Sequence, residues 1–285
     1  MKRRAIACKV TLLLLVLSSW VAASLGITFG LVDRPGAIKP HPKPVPFTGG
    51  TAILIALLVA APIALPSPYA VAGAAVCWLV GLVDDLRGLM PAPKLLALLP
   101  PLALGSFALD LPPLQRVVVV LVGLILLNVF NVVDGLDALA GGTAVLMLVS
   151  LTFAGTISAL AAAGIGATLG FLVFNLPPAK LFLGDEGSLL LGYLLWFLTA
   201  SWLASGPAVQ ATILWSLLWM FPLTNFAYVV AIRLKARRPL LRGDRSHLYD
   251  DLKRRFGLAR TLAVCWVIST VGAFCTAIVV RASEM

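Results

Sequence analysis

Val117-Val-Val-Val-Leu-Val-Gly-Leu-Ile-Leu-Leu-Asn128-Val-Phe-Asn131-Val-Val-Asp134-Gly-Leu-Asp137 joins an unbroken apolar run to four evenly spaced amides and carboxylates. The run is the core of a membrane-spanning helix, which needs about 20 mostly apolar residues to cross roughly 30 Å of hydrocarbon. A carboxylate inside hydrocarbon costs about 2.5–3.5 kcal/mol on insertion scales, so the acids at the end of this run mark a functional site. Successive members of the series share a helix face, although a straight helix drifts by about 60° at each three-residue step. Gly135 is the expected break that turns Asp137 back toward Asn128, Asn131 and Asp134.

Working outward, the same pattern repeats along the chain. Hydrophobic residues make up 60% of its 285 residues and charged ones 12%. About ten apolar segments qualify as spans, near 8–30, 50–66, 69–83, 94–109, 114–130, 138–155, 157–175, 187–204, 208–232 and 260–281. Those near 69–83 and 94–109 are short enough to be tilted, re-entrant or locally broken. The expected fold is an all-α polytopic membrane protein, a bundle of about ten transmembrane helices. Residues 1–285 form a single integral membrane domain, with 233–260 as a basic loop within it. The start, Met-Lys-Arg-Arg before an apolar run, resembles a secretory signal; Lys9 and the length of the run favour an uncleaved first span. Cys8, Cys77, Cys265 and Cys275 lie in apolar runs without metal-type spacing and read as packing residues.

Charge sets the expected topology. Connections after odd-numbered spans hold 16 of the 22 Lys and Arg residues, ten of them between Arg233 and Arg260. The positive-inside rule places those connections in the cytoplasm and both termini outside, against the pull of the basic N-terminus. Ten of the twelve acids fall on the same side, although acids carry little topological information. A single active site at the cytoplasmic face explains that one-sidedness. The basic excess on that face suits polyanionic substrates and anionic lipid headgroups, and no nucleic-acid partner is expected.

Four further segments carry chemistry. In Gly30 to Gly50, five prolines from Pro35 to Pro46 bar a helix and stiffen a loop presenting Lys39, His41 and Lys43. Gly49-Gly50 lets the backbone turn or pack closely there; the plainer reading is a rigid connector beside lipid phosphates. Asp84-Asp85 closes the third span, and adjacent carboxylates in a partly dry site both stay ionised only near a cation. One can hold Mg²⁺ while the other acts as a base, unless both simply face water. Phe182-Leu-Gly-Asp-Glu-Gly-Ser188 brackets Asp185-Glu186 with glycines and opens a helix whose free amides favour an anion. Glu186 reads equally as solvent-facing or working. Arg242 to Arg255 places Arg245 and His247 in a basic loop, as phosphate contacts or as solvated side chains.

These five segments, in this order, resemble the polyprenyl-phosphate N-acetylhexosamine-1-phosphate transferase family. The likeness runs from about Gly30 to Arg255. It implies transfer of a sugar-1-phosphate, GlcNAc-1-phosphate or a related N-acetylhexosamine-1-phosphate, from a UDP-sugar to undecaprenyl or another polyprenyl phosphate. UMP leaves, and a cell-envelope glycan is begun at the inner (plasma) membrane, with the active site facing the cytoplasm. It implies Mg²⁺, with Mn²⁺ as the alternative, on Asp185 and Asp84; catalytic roles for Asp84, Asp85 and His247; and substrate contacts from Lys39, His41, Asn128, Asn131, Asp134, Asp137 and Arg245. It also implies a homodimer. The chain departs from the family pattern at Arg87-Gly88, where a further acid is missing, and at Ala138, where glycine is usual. Tyr249 and Asp250 stand where later histidines often do, which leans away from the pentapeptide translocases. A CDP-alcohol phosphotransferase would need Arg at Leu139, and an intramembrane aspartyl protease would need Gly at Phe182. A cation-coupled transporter is the alternative of a different class, but it would place its acids near the midplane.

Overall fold

The computed structural model describes residues 17–35, 43–64, 67–153, 158–205, 215–239 and 246–283. The described residues are mostly helical, with one two-residue antiparallel ribbon. Helix α1 covers Leu17–Thr28. Strands β1 (Val32–Asp33) and β2 (Val45–Pro46) pair antiparallel, Val32 opposite Pro46. Then come α2 (Gly49–Ala64), α3 (Pro68–Arg87), α4 (Pro91–Ala97), α5 (Leu99–Phe107) and α6 (Pro113–Asn131). The chain closes with α7 (Leu139–Phe153), α8 (Ser158–Asn175), α9 (Gly184–Ser205), α10 (Met220–Lys235), α11 (Leu248–Phe256) and α12 (Leu258–Ser283). The all-α membrane fold is therefore as expected. Each of the ten apolar segments contains helix, and the free Cys77, Cys265 and Cys275 are unbridged, the first two buried.

Two segments depart from their expected outlines. The segment near 69–83 is not short: α3 runs through 20 residues, with Ser67 accepting from the Tyr69 N–H at its start and Gly88 (φ 63°) closing it. The apolar run stops at Asp84, but the helix continues one more turn because both acids at its end find donors. The segment near 94–109 is broken. Helix α4 ends at Leu98 and α5 restarts with Pro100-Pro101 in its first turn, where missing N–H groups do no harm.

Helix α9 is the centre of the bundle. Every position from Glu186 to Ala200 is buried, and α2, α3, α5, α6 and α7 all pack on it. A helix that is apolar on all sides belongs in such a position. The outer helices keep one apolar stripe outward. On α6 it is Leu114, Val117, Val118, Leu121 and Ile125; on α12 it is Val264, Val267, Val271, Phe274 and Ile278. Helices α3, α6 and the first 19 residues of α12 are long and apolar enough to cross a membrane. Bare apolar stripes of that length are stable against lipid tails and costly against water, so this is a membrane protein.

Candidate active site

The site is built where the C-termini of α3 and α6 meet the N-terminus of α9. Gly184 (φ 72°) turns the chain into α9, leaving its first amides without intrahelical partners. Asp85 supplies the cap from another helix: its Oδ1 accepts from the Asp185 N–H and its Oδ2 from the Glu186 N–H, each at 3.0 Å. A carboxylate at a helix N-terminus also meets the positive end of the macrodipole. Asp85 thus aims Asp185 through the backbone, and both its oxygens are engaged in doing so.

Helix α2 starts against the same turn. The Gly49 and Gly50 N–H groups donate to the Phe182 and Leu183 carbonyls at 2.9 and 3.0 Å. Glu186 takes the next amide, with Oε1 accepting from the Thr51 N–H at 2.7 Å, and Trp78 Nε1 donates to Thr51 Oγ1 at 3.3 Å. Glu186 is wholly buried, so it does not face solvent; it caps α2. Gly49-Gly50 serves close packing: a side chain on Gly50 would overlap the Gly187 backbone. A side chain on Gly81 of α3 would overlap the backbone of Asp185 and Glu186. Gly81→Ala should therefore push α3 off α9 and destabilise the protein by about 1–3 kcal/mol, the usual cost of overpacking against something that cannot yield. The melting midpoint in detergent measures it, and an unchanged midpoint would refute the packing.

Between the helix ends lies a compact ionic cluster. Lys94 Nζ is 2.6 Å from Asp84 Oδ2 and 3.3 Å from Asp185 Oδ2, and it donates to Asn131 Oδ1 at 3.3 Å. Asp84 Oδ1 accepts from the Leu89 N–H at 2.7 Å. Asn131 Nδ2 donates to Asp185 Oδ1 at 2.5 Å and to Ser188 Oγ at 2.6 Å. Lys94 was not among the residues singled out in the sequence. Its signal was there: a lysine in Pro-Ala-Pro-Lys94-Leu-Leu-Ala, inside an apolar stretch, needs an acid to answer it.

The Asn-Asp series is split by the fold. Helix α6 ends at Asn131, and residues 132–138 form turns, so the helix breaks before Gly135 rather than at it. Asn131 enters the ionic cluster. Asn128 instead donates back to the Leu124 carbonyl of its own helix at 2.7 Å. Asp137 does not rejoin the others: its Oδ2 accepts from the Ala179 N–H at 3.0 Å, tying down the segment after the cis Pro177-Pro178 bond. Asp134 is half-buried, and its carboxylate is paired with no hydrogen-bond donor among the described residues. Burial, then the negative field of Asp185, Asp85 and Asp137, pushes its carboxyl well above the usual carboxylate range. Ala138 takes a left-handed conformation (φ 63°) with its N–H on Asn175 Oδ1 at 2.9 Å. That conformation costs an L-residue about 1–2 kcal/mol, a cost glycine would not bear.

The basic loop closes one side. His247 precedes α11 in extended conformation, and its backbone N–H reaches Asp250 Oδ2 at 3.4 Å. Its ring stacks on Tyr249, centroids 4.9 Å apart. The Tyr249 hydroxyl donates to the Val132 carbonyl at 3.2 Å, beside the Asp134 turn. Lys39, His41 and Arg245 lie outside the described residues, although β1 and β2 bring both ends of the Lys39 loop to the turn that leads into α9, with the Phe182 N–H on the Pro46 carbonyl at 2.8 Å. The described parts of the connections after the odd-numbered spans thus meet at one end of the bundle.

The residues fit a divalent ion in part. Two carboxylates, Asp84 and Asp185, share one cationic group, with the Asn131 amide oxygen on the same group and Asp134 close enough to act electrostatically. Among the described residues no three His, Cys, Asp or Glu side chains form a ready metal cage. Mg²⁺ takes one or two carboxylates and completes its shell with water and substrate phosphate, so the donor set suits it.

The fold is that of a polytopic membrane protein with an acidic cluster at one end of its helices, and the chain belongs to glycosyl transferase family 4. That family's pattern matches residues 67–203, from α3 through α9. A Thermotoga maritima protein named undecaprenyl-phosphate alpha-N-acetylglucosaminyl 1-phosphate transferase is 30% identical over 82% of this chain and 76% of its own length. A Bacillus subtilis protein, named a probable undecaprenyl-phosphate N-acetylglucosaminyl 1-phosphate transferase, is 28% identical over 95% of this chain and 83% of its own. Likeness to a Clostridioides difficile phospho-N-acetylmuramoyl-pentapeptide-transferase is local, 46% over 24% of this chain. These relatives are transferases, and they lend nothing to the transporter reading.

Proposed function

We propose that this protein transfers GlcNAc-1-phosphate from UDP-GlcNAc to undecaprenyl phosphate or a related polyprenyl phosphate, at the cytoplasmic face of the plasma membrane. The observation that carries the reading is the Asp84–Lys94–Asp185 cluster at the meeting point of five connections, in a chain whose full-length relatives bear that activity in their names. The ten-span topology with odd connections inside belongs to the same proposal, supported by the 16 of 22 basic residues on that side.

In the reaction an oxygen of the lipid monophosphate attacks the phosphorus next to the sugar. The bond from that phosphorus to the bridging oxygen breaks, and UMP leaves with the electron pair. The products are a lipid-linked pyrophosphoryl sugar and UMP. Asp185 and Asp84 would hold Mg²⁺, which would supply charge neutralisation at the pyrophosphate. Lys94 supplies a second, fixed positive charge beside those acids, where developing negative charge gains most in a site sheltered from water. Asn131 holds Asp185 in place. Asp85 holds the α9 N-terminus, so its contribution is positioning rather than proton transfer. Asp134, for which the described residues offer no donor, is left to hydrogen-bond the substrate. His247, beside the Asp134 turn through its stack on Tyr249, would steady phosphate charge from that side, and the same role is proposed for Lys39, His41 and Arg245.

The test is an assay of purified protein with UDP-GlcNAc and undecaprenyl phosphate, with and without Mg²⁺. The expected result is Mg²⁺-dependent UMP release matched by lipid-extractable sugar. Folded protein that releases no UMP from any UDP-sugar in a panel would overturn the reading.

A further inference from the structure

The Val132 carbonyl sits at the start of the Asp134 turn and receives two donors from the far end of the chain. Tyr249 Oη donates to it at 3.2 Å and Asn225 Nδ2 at 3.4 Å. Asn225 also accepts from the Leu248 N–H at 3.1 Å, so one side chain on α10 grips both the turn and the first residue of α11. Tyr249 is 3% exposed and performs two tasks with one ring. Its hydroxyl fastens α11 to the turn, and its face lies nearly parallel to His247, centroids 4.9 Å apart and planes 5° apart.

Gly135 completes the arrangement. A methyl group there would overlap the Tyr249 hydroxyl and ring. Since the helix has already ended at Asn131, Gly135 is not needed to end it. Its bare backbone instead gives the tyrosine room, with Asp134 as its immediate neighbour. The side chain that orients His247 is therefore wedged against the turn that carries Asp134.

We propose that Tyr249 is a positioning residue, which sets the His247 ring relative to the Asp134 turn, and that Gly135 is glycine because Tyr249 fills the space of its side chain. Tyr249 touches no reacting atom and acts through His247. The inference rests on the reading of His247 as a phosphate contact in the transferase.

Two sets of measurements test it. Tyr249→Ala should lower kcat by about tenfold or more, as misplacing a catalytic group does, with little change in KM for UDP-GlcNAc. His247→Ala should cost about a hundredfold, and the double variant should be no worse than His247→Ala alone. Gly135→Ala should lower both kcat and the melting midpoint with Tyr249 present, and neither further in the Tyr249→Ala background. Tyr249→Phe keeps the stacked ring, guards against a simple folding failure, and should retain most turnover. Losses from Tyr249→Ala and His247→Ala that multiply, or Tyr249→Ala turnover near wild type, would overturn the proposal; a silent His247→Ala would overturn it together with the phosphate role of His247.

The second set needs no turnover and so separates this idea from the transferase reading itself. The chain has two histidines, His41 and His247, so ¹³C-histidine labelling yields two ring signals. The His247 signal should be moved by the ring current of Tyr249, retained in Tyr249→Phe and lost in Tyr249→Ala. A signal indifferent to Tyr249→Ala would refute the stacking even in an inactive preparation.

Discussion

Asp185→Asn is expected to lower turnover by roughly 10²–10³-fold, the size of effect that follows removal of one preorganised charged group from a sheltered site. The substitution is nearly isosteric and leaves the α9 cap untouched, because Asp85 binds the backbone N–H of residue 185 and not its side chain. What it removes is the negative charge facing Lys94 at 3.3 Å, one of the two charges available to a divalent ion. The variant should therefore melt close to wild type while UMP release collapses. Its residual rate should also respond weakly to added Mg²⁺. Turnover within about tenfold of wild type would remove Asp185 from the chemistry.

Lys94→Met is expected to damage folding and activity together. Lys94 and Asp84 are 12% and 8% exposed, and removing one partner of a buried pair leaves the other charge without an answer, at a cost of about 3–5 kcal/mol. Here the cost has two sources, since Asp84 and Asp185 would repel each other once the ammonium between them is gone. Mg²⁺ should raise the melting midpoint of the variant more than that of wild type, because a divalent ion can take over the vacated charge balance. A paired substitution separates the two roles. Lys94→Met combined with Asp84→Leu restores an apolar contact and should recover much of the stability, with turnover still lost. Recovery of turnover along with stability would show that the pair only holds the fold. Lys94→Arg should rescue only in part, since a planar guanidinium cannot reproduce a compact ammonium shared by three oxygens.

Much of this site was legible because membranes make polar residues conspicuous. Asp84, Asp85, Asn131, Asp134 and Asp185 stand out in apolar surroundings, and the one-sidedness of the acids foretold that they would meet at one end. Their division of labour was not legible. Asp84 and Asp85 are neighbours in sequence, yet successive residues on a helix point about 100° apart. One therefore meets Lys94 while the other meets the backbone of α9. Glu186 and Asp185 are parted in the same way, one toward α2 and the other toward the ionic cluster. Asp137 shares the three-residue rhythm of Asn131 and Asp134, but the rhythm means nothing once the helix has ended at Asn131.

The sequence by itself determined that the chain crosses a membrane repeatedly, which ends of its helices gather the acids, and which family it belongs to. Those are properties of local composition and of short ordered motifs, and they survive without knowledge of which helix touches which. The tertiary structure alone decided that Lys94 stands between Asp84 and Asp185, that Asp85 and Glu186 are caps, and that Tyr249 holds the Asp134 turn. Each of these pairs a donor with an acceptor from a different part of the chain, up to 135 positions away for Thr51 and Glu186. No local pattern encodes such a partner: a buried polar group must be satisfied, but only packing fixes which group satisfies it.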